Sequence, residues 1–131
     1  MTTPKPLGYW LKHLDTLIET RFGRTLADHG LTRRHWQVLN TIAAAPTSQE
    51  DLDRALAPFQ QDVRAEVDDL IAKGWAARDG DLVTTTELGR AGFDEVAARI
   101  HTERRRIIDG IPDEEYLRTV ETLRRMAANL E

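Results

Sequence analysis

Cysteine is absent from the 131 residues, which excludes disulfides, thiol redox sensing and cysteine-ligated zinc. Long hydrophobic runs are missing too. No apolar stretch approaches the roughly 20 residues that cross a bilayer, and no signal peptide precedes the first helical pattern. The expectation is a soluble, cytoplasmic protein. Also lacking are a nucleophile beside a base, paired carboxylates in a cleft-like context and a glycine-rich phosphate loop. Neither enzymatic activity nor a cofactor is expected. Histidine occurs at His13, His29, His35 and His101 without HExxH or another ligand spacing, so no metal site is expected. His35 precedes Val38, Leu39 and Ile42 at helical intervals and is expected to be partly buried or interfacial.

What is present is acidic overall, with a net charge of −4. The charge is unevenly spread. Residues 1–30 carry four bases and three acids, and 31–46 add Arg33 and Arg34. Residues 47–81 hold four bases against nine acids, and 82–131 hold eight against ten. The length suits one domain with a real core.

The most informative stretch runs from Ser48 to Gly89. Ser48-Gln49-Glu50-Asp51 has the form of a capping box, followed by Leu52 and Leu56 at helical spacing and then Pro58. A second helix is expected from near Gln60, with Val63, Val67, Leu70 and Ile71 on one face, stopping at Gly74. Ala76 to Arg78, a turn at Asp79-Gly80, and Leu82 to Thr84 read as a hairpin. Helix, turn, helix and hairpin in this order predict a winged helix-turn-helix. That unit usually lays its second helix in the DNA major groove. The acidity of residues 47–81 stands against this use.

Two helices precede this unit. One is expected from about Gly8 to Asp28 with Leu7, Leu11, Leu14, Ile18 and Phe22 recurring, ended at His29-Gly30. The next is capped by Thr32, buries Trp36, Val38, Leu39 and Ile42, and closes at Pro46. After the hairpin, Thr86 caps a long helix carrying Leu88, Phe93, Val96, Ile100, Ile107 and Ile108, broken at Asp109-Gly110-Ile111-Pro112. A last helix opens on Asp113-Glu114-Glu115, favourable at the positive end of the dipole. It carries Tyr116, Val120, Leu123, Ala127 and Leu130 along one stripe. A small winged core cannot cover every apolar face of these terminal helices. An identical partner would cover them; a closed monomeric helical domain is the alternative. The expected fold is mainly α. Residues 31–85 form the winged unit with a short two-stranded wing, and 7–30 and 86–131 form dimerisation helices, all in one domain of residues 1–131.

Several segments together resemble the MarR family of bacterial transcriptional regulators. Leu31-Thr32, Trp36, Val38-Leu39 and Ile42 are similar to the family's capped second helix. The interval from Leu52 to Gly74 matches that between its third-helix leucine and the glycine ending its recognition helix. Thr86-Glu87-Leu88-Gly89 resembles its Leu-Thr-x-x-Gly segment, with Thr85 in place of leucine, and Ile111-Pro112-Asp113-Glu114-Glu115 resembles its acidic start to the last helix. The resemblance implies a homodimer binding double-stranded DNA at a pseudo-palindromic operator, a ligand-responsive repressor more often than an activator. It also implies a small, often aromatic, effector held between the dimerisation and DNA-binding regions. Two departures stand out. The wing is cut to Arg78-Asp79-Gly80-Asp81, without the family's tip arginine, and Asp62 and Asp69 fall on or beside the outward face of the recognition helix.

The DNA-binding candidates are Arg33, Arg34, Gln60, Gln61, Arg64 and Arg78. Glutamine pairs with adenine and arginine with guanine in the major groove; the plainer reading is a solvated helix face. Arg33 and Arg34 oppose the dipole at a helix start, a conflict that a phosphate would relieve. Arg104-Arg105-Arg106 point in three directions on a helix and read as a salt-bridged surface. Tyr9, Trp10, His13 and Trp36 are candidate effector-pocket residues, with core or dimer contacts as the alternative. The competing function is a winged-helix module that binds protein or a small molecule without an operator.

Overall fold

A computed structural model describes residues 3–56 and 62–131 of the chain. The elements are α1 (Leu7–Ala27), α2 (Arg33–Ala44), β1 (Thr47–Ser48), α3 (Gln49–Ala55), α4 (Arg64–Ala72), β2 (Ala76–Asp79), β3 (Leu82–Thr85), α5 (Glu87–Ile107) and α6 (Asp113–Ala128). They gather into two compact units, Met1–Ile100 and His101–Glu131. Among the described residues no helix is long and apolar enough to cross a membrane. The expected order of helix, turn, helix and wing is present.

The two-stranded wing is present as the hairpin of β2 and β3, and the sheet differs from expectation in two respects. It gains a third strand, in the order β1-β3-β2. Thr47 pairs with Val83 and Ser48 with Leu82, so the link between α2 and α3 is sewn to the hairpin. Two residues are too few to show an alternating pattern, which hid β1 in the sequence. The turn also sits one residue later than expected. Asp79 pairs with Leu82, leaving Gly80 and Asp81 as the two turn residues. Gly80 has φ +62°, and no described non-glycine residue has positive φ. This is the type II′ pattern, with glycine at the first position only.

Local chemistry sets the helix starts. The Thr32 hydroxyl accepts from the His35 amide at 3.3 Å, and His35 Nδ1 accepts from the Thr32 amide at 2.9 Å. Histidine thus fills the place glutamate or glutamine usually takes in a capping box. Ser48 accepts from the Asp51 amide at 3.1 Å, while the Asp51 carboxylate takes Arg54 at 3.2 Å. The helix expected as the recognition helix, α4, begins at Arg64, not near Gln60. Val63 keeps non-helical angles (φ −121°, ψ 26°). Its amide donates to Asp53 and the Arg64 amide donates to Asp62, at 2.9 and 3.1 Å. Such side-chain bonds compete with helix continuation. Gln60 and Gln61 lie outside the described residues.

Val38, Leu39, Leu52, Val63, Val67, Leu70, Val83 and Val96 form the innermost core. The start of α5 closes that core from one side. Thr86 Oγ1 donates to the Gly74 carbonyl and accepts from the Gly89 amide at 2.9 Å. Gly89 then lies against backbone: a Cβ there would fall 1.9 Å from the Trp75 carbonyl oxygen. One turn on, a Cβ at Gly92 would fall 2.3 Å from the Trp75 ring. Leu88, carried on the same helix, is 59 % exposed.

The terminal helices are only partly accounted for. From α1, Thr25 and Leu26 are buried and Phe22 packs against the core, but Leu7, Leu11, Leu14 and Ile18 are 52, 44, 46 and 37 % exposed. In the second unit α6 has no buried residue. Its Arg124 hydrogen-bonds Glu121 and holds that carboxyl below its ordinary value, while Glu121 raises Arg124.

Gly89→Ala is expected to lower stability by about 1–3 kcal/mol or more, since the methyl meets backbone that has nowhere to go. Gly23 has nothing within 4 Å of its Cβ position, so Gly23→Ala should instead stabilise α1, by up to about 1 kcal/mol. Urea unfolding of both variants checks this. A Gly89→Ala midpoint at or above that of the natural chain would contradict the close approach.

Candidate nucleic-acid interface

The core of this surface is the exposed start of α4. Arg64 opens α4 on its solvent side and makes no ion pair among the described residues. Helix position alone made it a candidate, and the residue is exposed.

The other arginines named from sequence are engaged within the chain. Arg33 forms a two-armed pair with Glu19 of α1, one arm at 3.0 Å, and its guanidinium lies 5.3 Å from the Phe22 ring centre. Its conflict with the α2 dipole is thus relieved by a carboxylate fourteen residues earlier. Arg34 reaches Gln37 and the Leu56 carbonyl, both at 3.3 Å, and braces α2 against the end of α3. Arg78 meets Gln49 at 3.2 Å and Asp68 at 3.3 Å. All three keep exposed or half-buried positions, so their charge still contributes to the surface field.

The acids of this surface are also occupied. Asp62 lies before the helix and takes the Arg64 amide. Asp68 takes Arg78. Asp69, expected on the outward face, turns toward α2 and accepts from His35 Nε2 at 2.9 Å. Because His35 Nδ1 accepts the Thr32 amide proton, that nitrogen is bare and the ring proton sits on Nε2. The ring is therefore oriented by α2 and presented to α4. Its side chain is 12 % exposed, in keeping with the spacing argument.

The aromatic candidates separate into two groups. Tyr9, Trp10 and His13 form an exposed cluster on α1, with Tyr9 edge-on to Trp10 at 5.0 Å and stacked on His13 at 5.5 Å. Trp36 does not join them. It is buried and stacks on Phe93 at 5.0 Å between centres. Sequence reasoning missed Glu19, Gln49, Asp53 and the His35–Asp69 pair. Only His35 left a local trace, its position three residues after a threonine cap.

No protein-family model matches the chain, and no curated protein matches it in sequence. Solved structures do. MepR, a transcription regulator of the Staphylococcus aureus multidrug efflux pump MepA, is 16% identical with a TM-score of 0.82, covering 97% of this chain and 100% of its own. The Mycobacterium tuberculosis MarR family protein Rv2887 in complex with DNA is 22% identical with a TM-score of 0.74, covering 94% and 98%. CouR from Rhodococcus jostii RHA1, bound to p-coumaroyl-CoA, is 26% identical with a TM-score of 0.66, covering 94% and 92%. The chain thus has the winged-helix fold of the MarR family of transcriptional regulators, as its motifs implied.

His35→Ala should cost about 1–2 kcal/mol, from a lost cap and a lost hydrogen bond to a charged group. Adding Asp69→Ala should cost little more, because the two residues share one interaction. A denaturation double-mutant cycle measures the coupling; full additivity would mean that the pair does not hold α4.

Proposed function

We propose that this protein is a ligand-responsive, DNA-binding transcriptional regulator of the MarR type. It works in the cytoplasm as a homodimer and reads a pseudo-palindromic operator with α4. The observation that carries this reading is the exposed Arg64 at the first turn of α4, which has no ion pair among the described residues and lies beside acids bonded within the chain. The DNA complex of Rv2887 supports it by fold. The arrangement also suggests how an acidic segment works on an acidic polymer. Each carboxylate paired with a cation weakens the repulsion that residues 47–81 would otherwise exert.

Dimerisation is supported by the apolar surface left uncovered. Along α1, Leu7, Trp10, Leu11, Leu14 and Leu17 are each more than 40 % exposed, and in α6 so are Tyr116, Leu117 and Val120. Patches of this kind mark interaction surfaces. Two lobes then present two Arg64 side chains to two half-sites. A planar effector is the expected ligand class, and the Tyr9–Trp10–His13 cluster offers it stacking surface. CouR bound to p-coumaroyl-CoA and Rv2887 bound to p-aminosalicylic acid support ligand response in this fold.

A second reading, a module that binds protein or a small molecule without an operator, is favoured by the acidic wing tip at Asp79 and Asp81. DNA selection from a random duplex library separates the two. On the selected duplex, Arg64→Ala is expected to lose about 1–3 kcal/mol and relax preference at one position per half-site. An equal loss on all duplexes would make Arg64 a phosphate contact. The absence of any selected duplex would favour the module.

Leu11→Glu with Leu14→Glu places charge in the proposed dimer surface. Sedimentation velocity is expected to show a shift from dimer to monomer. Two species of unchanged size would remove α1 from the interface.

A further inference from the structure

A polar chain inside the winged lobe joins the start of α4 to the base of the wing. Asp53, half-buried on α3, accepts from the buried Val63 amide at 2.9 Å and from Gln49 Nε2 at 2.9 Å. The other end of the same amide, Gln49 Oε1, accepts from Arg78 Nη2 at 3.2 Å. Arg78 returns to α4 through Asp68 at 3.3 Å. The circuit thus starts at Val63, just before α4, crosses α3 and β2, and enters α4 at Asp68, five residues later.

The chemistry of the link fixes its direction. A carboxylate only accepts and a guanidinium only donates, so the two cannot both be satisfied by one rigid donor or acceptor between them. A primary amide satisfies both, in one of its two flip states. Gln49 is therefore an adaptor between an anion at the helix start and a cation at the wing. A valine side chain cannot cap α4, and the buried Val63 amide finds its acceptor in Asp53. Arg64 is the next residue, and a displacement at Val63 carries it along.

We propose that Asp53 and Gln49 are positioning residues that lock the wing and the start of α4 into one reading unit and set where Arg64 points. Arg78 is then chiefly an alignment cation. This inference rests on the operator-binding reading for its functional consequence, but the coupling itself is testable without DNA.

The test uses the 131-residue chain and three variants. Asp53→Ala removes the shared acceptor. Asp53→Asn keeps an oxygen for the Val63 amide and is the conservative control. Gln49→Met keeps length and removes both bonds. Amide exchange at Val63 and the guanidinium resonance of Arg78 are recorded by NMR, and thermal unfolding checks that each variant is folded. Binding is measured to a duplex selected by the natural protein and to a scrambled duplex at the same salt. Asp53→Ala is expected to lose Val63 protection and at least tenfold of its preference for the selected duplex, with scrambled-duplex affinity unchanged. Asp53→Asn should retain most of both. Gln49→Met should shift the Arg78 resonance and cut the preference severalfold.

A folded Asp53→Ala that keeps Val63 protection, or loses it with the preference intact, overturns the proposal. So does a Gln49→Met in which Arg78 is unmoved. If the natural protein selects no duplex, the operator reading fails on its own account. Exchange and resonance then decide the coupling: Val63 exposure in Asp53→Ala supports it and unchanged protection overturns it.

Discussion

The close approach of α5 to the chain at Trp75 is the constraint on which the winged lobe depends. Gly89 lets helix backbone lie against the Trp75 carbonyl, Gly92 lets the indole lie under the next turn, and Thr86 ties both to the end of α4. Three separate tasks meet here: ending α4, starting the wing and launching the long helix. None is negotiable independently, because a methyl group at either glycine would push Trp75 and with it the first residues of β2. Trp75 is itself 8 % exposed, so the indole is both a wedge and a part of the core.

Around that junction the lobe is held by polar contacts that the fold brings together from distant sequence. His35 and Asp69 lie 34 residues apart, Gln49 and Arg78 lie 29 apart, and Arg90 reaches the Ala43 carbonyl across 47. Individually, exposed contacts of this kind contribute little to stability. Their importance is geometric. Each one fixes the angle of an element that hydrophobic packing would leave free to slide, and α4 receives two of them, at Asp68 and Asp69.

The helical skeleton was legible because its signals are local. Thr32, Ser48 and Thr86 announce helix starts through side chains that bond their own neighbours, and Gly30, Gly74 and Gly110 announce stops through positive φ. The uncovered stripe on α1 was legible for a similar reason, since periodicity alone revealed an apolar face longer than the core. What could not be read depends on partners far away in sequence. β1 exists only because β3 is there to pair with it. The start of α4 was misplaced because Asp53 and Asp62 hold the preceding backbone open, and periodic valines carry no trace of that. Arg33 and Arg78 looked like free cations because Glu19 and Gln49 were invisible as their partners. Arg64 was legible as a candidate from helix position, yet the fact that its side chain has no ion pair among the described residues was not.

The small turn at Gly80 and Asp81 has one more consequence. A hairpin closed by two residues, with β3 paired on both sides, has little conformational freedom left to lose. Whatever surface it meets, it meets already ordered, so contact carries almost none of the entropic cost that a longer, looser loop incurs on docking. The same stiffness removes adaptability. A long wing can bend to follow a groove, whereas this one must find a surface whose shape already suits it.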